Sequence, residues 1–194
     1  MLAADSPASW WRLNATVPNA ITVLRIVLIG VFVVLLVRHQ DGWAITALAV
    51  AGVSDFVDGY LARRWGQTSE LGRILDPAAD RLLTVAVVLG LAWRDIIPWW
   101  LVAVLLARDA VMAIALLWLA RLHRPTPVVT FLGKSATAAL YVFLPLSYLA
   151  FDRWDGVHAL AVWGAAGAAV AYWGSAVQYL AQVRRTGSIP ATTP

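Results

Sequence analysis

The chain contains no cysteine, which removes disulfides, thiolate metal sites and cysteine nucleophiles from consideration. Charge is scarce as well: Asp, Glu, Lys and Arg make up 13% of the 194 residues against 61% hydrophobic ones, and the mean hydropathy is +0.72. A soluble core of this length has no use for so much apolar surface, so the composition describes a membrane protein. Histidine is limited to His39, His123 and His158, at the ends of apolar runs and without metal spacing, so they read as interface residues. Residues 1–17 lack a basic start and an apolar centre and are not expected to act as a secretory leader. Trp10, Trp11, Arg12 and Leu13 make them an interfacial segment instead. The net charge of +4 is modest, and no nucleic-acid partner is expected.

What the chain does have is long apolar runs. They extend over about 18–37, 43–62, 77–93, 97–122, 134–151 and 157–183. Runs of this size, separated by short polar connections, predict an all-α integral membrane protein with six transmembrane helices. The spans occupy residues 18–185 as one transmembrane domain, and a disordered tail is expected over 186–194. Many of the 11 tryptophans, among them Trp43, Trp93, Trp99, Trp100 and Trp154, fall near run ends, as in interfacial belts. With the N-terminus in the cytoplasm, Arg12, Arg63, Arg64, Arg73, Arg121, Arg124, Lys134, Arg184 and Arg185 lie inside, and Arg38, Arg94 and Arg153 outside. That satisfies the positive-inside rule and puts both termini in the cytoplasm. Gly164, Gly167, Ala168 and Gly174 in the sixth run read as a close-packing face.

Between the second and third runs lies SDFVDGYLARRWGQTSELGRILDPAADR, residues 54–81. Carboxylates at membrane depth are costly and are read by default as functional. On a helix, Asp55, Asp58, Gly59 and Ala62 occupy i, i+3, i+4 and i+7, one stripe, so both acids point the same way. Asp76 and Asp80 are i and i+4 on the next helix, and Pro77 suggests that this helix starts with Asp76 as N-cap. Two carboxylate pairs then face each other across a loop over 65–75. Such a quartet needs cations between its members, and all-oxygen ligation suits Mg²⁺, Mn²⁺ or Ca²⁺. Two such ions are a standard clamp for phosphoryl displacement. Gly59 and Ala62 leave a face without bulk for a phosphate-bearing ligand, and Arg63 offers it a guanidinium.

The order D-x-x-D-G-x-x-A-R-x8-G-x-x-x-D-x-x-x-D, with every fixed position present, resembles the signature of the CDP-alcohol phosphotransferase family. That resemblance implies a six-helix membrane enzyme, commonly a homodimer. In it an alcohol attacks the lipid-bonded phosphate of CDP-diacylglycerol and CMP leaves. Asp55, Asp58, Asp76 and Asp80 match the ligands of two Mg²⁺ or Mn²⁺ ions, and Asp80 also matches the proposed general base. Asn19, Gly59, Ala62, Arg63, Ser69 and Gly72 match positions around the CDP-lipid. The opening VPNAITVLR and the acidic block look most like bacterial enzymes that make phosphatidylglycerophosphate, so glycerol 3-phosphate is the expected acceptor. The alternative is phosphatidylglycerol, giving cardiolipin. In its favour, Arg108-Asp109 in the fourth run lacks the further arginine, one to two turns on, that glycerophosphate-using relatives carry.

Outside the motif, Arg108 and Lys134 are candidate acceptor contacts. Arg108 and Asp109, as sequence neighbours, are each expected to need a separate partner. Arg25, about 10 Å along its helix from Pro18, is shallow enough to reach phosphates, as a lipid-headgroup contact or a purely structural snorkel. Pro145 reads as a kink in the fifth helix. Two other classes use intramembrane acids. Prenyltransferases need a second acidic motif, which this sequence does not have, and an ion transporter would not call for the Gly-x-x-Ala-Arg face.

Overall fold

The structure is a computed structural model describing residues 17–65, 70–122 and 130–186, with the side chains of several residues around the acidic motif outside the described set. Among the described residues it is all helical: α1 Val17–Val37, α2 Asp41–Trp65, α3 Glu70–Trp93, α4 Trp99–Arg121, α5 Phe131–Ala150 and α6 Asp155–Thr186. Each predicted apolar run lies on one of these helices. α1, α4 and α6 are long and apolar enough to cross a membrane by length and composition. In α2 the apolar stretch is the shorter Asp41–Ser54. The chain divides into two compact units, Met1–Gly90 and Leu91–Pro194.

In the first unit, α1 buries one stripe: Asn19, Thr22, Arg25, Ile29, Phe32 and Leu36. The spacing of three or four residues keeps these side chains on one face, with the polar half at the start of the helix and the apolar half at its end. α2 packs against α1 and buries Ala44, Ala47 and Ala51, a small-residue row suited to close approach. At Gly90 an added Cβ would come within 2.5 Å of Leu36 Cδ2, so α3 passes close to the end of α1 and a side chain there would have to displace the leucine.

In the second unit, α5 and α6 pair antiparallel. Gly133 faces Ser175, Gly174 faces Leu132, and an added Cβ at Gly164 would meet the Phe143 ring at 2.5 Å. Of the predicted close-packing positions, Gly164 and Gly174 sit against the neighbouring helix, while Gly167 has nothing within 4 Å. α6 also lies along α4: Trp173 Nε1 donates to the Val104 carbonyl at 3.1 Å, and Met112, Leu119, Ala176, Tyr179 and Val183 share one buried cluster. Exposed Leu160, Trp163, Val170 and Val177 on α6, and Ile114 and Leu117 on α4, are apolar side chains left for lipid.

Three helices are followed by a residue in the left-handed region. His39, Asp95 and Asp152 adopt φ of 57°, 55° and 57° just past the ends of α1, α3 and α5. Around the first, Gln40 N donates to the Leu35 carbonyl at 2.9 Å; around the second, Ile96 N donates to the Leu91 carbonyl at 2.9 Å. These two are left-handed helix stops built without glycine, whereas after α5 Phe151 is extended (φ −58°, ψ 134°) and Arg153 N donates to the Ala150 carbonyl at 3.1 Å, closing a tight turn around Asp152. His158 Nε2 lies 2.8 Å from the Ile96 carbonyl and its ring meets Phe151 edge-on at 5.4 Å. His158 is thus a structural tie, and His39 a turn residue.

Two local expectations are corrected. α3 begins at Glu70, so Asp76 is not its N-cap, and Pro77 sits inside the helix. Proline is tolerated there because neighbouring helices and side chains re-satisfy freed backbone groups in such bundles, and Gly72 in the turns before it is buried. The connection between the motif helices is accordingly shorter than the predicted 65–75, since α2 runs to Trp65. Arg25 is fully buried, which removes the snorkelling alternative.

Candidate active site

The first unit carries the acidic motif. Asp55, Asp58, Gly59, Ala62 and Arg63 lie on α2, but their side-chain placements are outside the described set, and Ser69 is outside the described residues altogether. Asp76 and Asp80 lie one turn apart on α3, Asp76 exposed and Asp80 half-buried. The i, i+4 spacing predicted for them therefore holds. Gly72, one turn before Asp76, is buried.

Asn19 and Thr22 occupy one face of the start of α1, both buried. The Thr22 hydroxyl donates to Asp76 Oδ1 at 2.7 Å, tying α1 to α3. A hydroxyl donor on one oxygen fixes the rotamer of the carboxylate and leaves its charge in place, as is typical of groups that orient a metal ligand from behind. Sequence reasoning missed Thr22. The signal was present, since Thr22 is i+3 from Asn19 and shares its face.

Among the described residues no three metal-ligating side chains cluster, and the described half of the quartet is the Asp76/Asp80 pair. Those two residues fit a hard divalent cation: both donors are carboxylate oxygens, and Asp76 is exposed to receive one.

The second unit carries a separate polar cluster. Arg108, 8% exposed, donates from Nη1 to Asp109 Oδ1 at 3.2 Å and from Nη2 to Ser175 Oγ at 3.3 Å. The Tyr172 ring lies against its guanidinium, 3.5 Å from Cζ to the centroid, and the Tyr172 hydroxyl donates to the same Asp109 Oδ1 at 2.8 Å. Arg108 and Asp109 thus pair with each other, contrary to the expectation of separate partners. The long arginine stem reaches round the helix, and one tyrosine of α6 grips both side chains. Ser175 Oγ donates in turn to the Tyr172 carbonyl at 2.6 Å.

Lys134 is exposed in the first turn of α5, beside Gly133, whose added Cβ would lie 3.4 Å from Ser175 Cβ. Thr130 caps this helix by accepting from the Gly133 N–H at 3.2 Å. Arg108 thus bonds Ser175 directly, and Gly133, the residue before Lys134, packs against it. Tyr172, Ser175 and Tyr179 were missed from sequence, although their i, i+3, i+7 spacing marks one polar stripe in an Ala/Gly-rich helix.

Not every buried polar atom in this unit is satisfied. Among the described residues, Arg108 Nε and Tyr179 Oη have no hydrogen-bond partner. A buried donor left unpaired costs roughly 1–3 kcal/mol, so such atoms need a reason.

A family model described as CDP-alcohol phosphatidyltransferase matches residues 15–175. The chain is 44% identical over 180 residues to a cardiolipin synthase (CMP-forming) of Streptomyces coelicolor, covering 88% of this chain and 83% of that protein. It is 33% identical over 176 residues to a CDP-diacylglycerol–glycerol-3-phosphate 3-phosphatidyltransferase of Salmonella typhimurium, covering 87% of this chain and 94% of that one. The match takes in the helices from α1 into α6, with the whole acidic motif inside it, and the chain belongs to the CDP-alcohol phosphatidyltransferase family.

Proposed function

We propose that this protein makes cardiolipin, transferring the phosphatidyl group of CDP-diacylglycerol to phosphatidylglycerol with release of CMP. The donor is assigned to the acidic motif, with Asn19, Gly59, Ala62, Arg63, Ser69 and Gly72 around the CDP moiety, and the acceptor to Arg108 and Lys134. Asp55, Asp58, Asp76 and Asp80 would hold two Mg²⁺ or Mn²⁺ ions, which when bound neutralise the diphosphate and the departing CMP. Thr22 holds Asp76 in place for that role. Asp80 takes the proton from the terminal glycerol hydroxyl of the acceptor. The freed oxygen bonds to the lipid-linked phosphorus, the bond from that phosphorus to the bridging oxygen breaks, and CMP leaves carrying that oxygen.

The acceptor assignment rests on one observation. The Arg108 guanidinium is already balanced by Asp109 at 3.2 Å, so the pair sums to zero charge. A zero-sum pair suits a phosphodiester with one negative charge better than a phosphomonoester with two, which calls for an added cation. Glycerol 3-phosphate remains the second reading, favoured by the likeness to the Salmonella enzyme over 94% of its length. In either case the site faces the cytoplasm, with both chain ends on that side and a homodimer as the working assembly.

Purified protein given labelled CDP-diacylglycerol, Mg²⁺ and both acceptors together tests the proposal. Cardiolipin as the main product is expected. Phosphatidylglycerophosphate alone would transfer the assignment to glycerol 3-phosphate, and no CMP release with either would overturn the reaction.

A further inference from the structure

The two unpartnered donors of the second unit, Arg108 Nε and Tyr179 Oη, belong to residues only 8% and 7% exposed. They lie along the same seam between α4 and α6. Arg108 is bonded to Ser175 across it, while Met112, one turn past Arg108, shares a cluster with Tyr179, one turn past Ser175. The surroundings of Tyr179 are apolar: Met112, Leu119, Ala176 and Val183. A phenylalanine would pack there equally well and leave nothing unpaired, so the hydroxyl makes the fold no tighter. Tyr172 differs, since its hydroxyl is engaged by Asp109 and its ring by Arg108.

We propose that the Tyr179 hydroxyl and the Arg108 Nε–H are the hydrogen-bond donors to the phosphodiester of the acceptor lipid, with Tyr172 a positioning residue that fixes the guanidinium through its ring and through Asp109. The inference rests on the acceptor reading above and adds to it the residue of α6 that touches the acceptor. A phosphodiester shares one charge over two non-bridging oxygens. One charge-balanced guanidinium and one neutral phenol give each of those oxygens a donor without adding positive charge. Binding then satisfies both buried donors at once, and it is the acceptor, not the folded chain, that gains from the hydroxyl.

The test is Tyr179→Phe in purified, lipid-supplemented protein, with phosphatidylglycerol varied at saturating CDP-diacylglycerol and the reverse. The expected result is an apparent KM for phosphatidylglycerol raised about three- to tenfold, the size of one lost hydrogen bond, with kcat and the KM for CDP-diacylglycerol unchanged within about twofold. The thermal midpoint of the variant should equal or exceed that of the parent, because an unsatisfied hydroxyl has left the core. Tyr172→Phe keeps the ring over Arg108 and should also raise the acceptor KM alone. An unmoved acceptor KM in Tyr179→Phe, or equal rises for both substrates with a lower midpoint, overturns the inference while parental activity stands. Lack of CMP release by the parent with either acceptor, or glycerol 3-phosphate as sole acceptor, overturns the acceptor reading and this inference with it.

Discussion

Asp80 and Thr22 make the sharpest demands at the scale of single residues. Asp80→Asn keeps the shape of the side chain and removes its basicity, so turnover should fall by about 10²- to 10⁴-fold while CDP-diacylglycerol still binds. A rate assay paired with a CDP-lipid binding assay checks this, and near-normal turnover would take the general-base role from Asp80. Thr22→Val removes the donor to Asp76 Oδ1 and keeps the volume in a buried site. It should raise the Mg²⁺ concentration for half-maximal rate about 10-fold, whereas Thr22→Ser should stay close to the parent. The Asp76/Asp80 pair was legible because i, i+4 spacing alone sets both on one helix face. Thr22 was legible only as a polar neighbour of Asn19 on one face, because a hydroxyl becomes meaningful only when its helix lies beside the carboxylate it serves. The Arg108–Asp109 pair was missed for a related reason: the rule that sequence neighbours diverge on a helix concerns Cβ directions, and a long guanidinium stem with a tyrosine to bracket it can defeat that rule.

At the scale of elements, all six apolar runs became helices, since length and apolarity suffice to read a membrane helix. Boundaries were less legible. Pro77 suggested a start because proline favours first turns, yet the helix reaches back to Glu70. Tertiary packing outweighs that local preference, as the burial of Gly72 before the proline illustrates. The α5–α6 pair offers a direct test of packing. Gly164→Ala would push a methyl to 2.5 Å from the Phe143 ring. A loss of about 1–3 kcal/mol is expected, read as a lower thermal midpoint in detergent. Phe143→Leu in the same chain should recover most of it, and a double-mutant cycle with no coupling would deny the contact.

The whole molecule is a membrane protein whose described residues form six helices, three of them apolar enough to span by composition alone. The motif helices are diluted by their own acids and arginines, so the count of spans is harder to read than the chemistry. The absence of cysteine makes the topology testable without background. Single cysteines at Asp95 and Asp152 should react with an impermeant maleimide in intact cells, and one at Arg121 only after permeabilisation. Labelling in the opposite sense would reverse the proposed orientation.

The left-handed residues His39, Asp95 and Asp152 turn the chain from one helix into the next within a few residues. A protease needs a stretch of extended backbone to grip, and these corners offer none. In the proposed orientation these three corners face outward, so protease added to intact cells should leave them uncut, and cleavage at any of the three would count against so tight a turn.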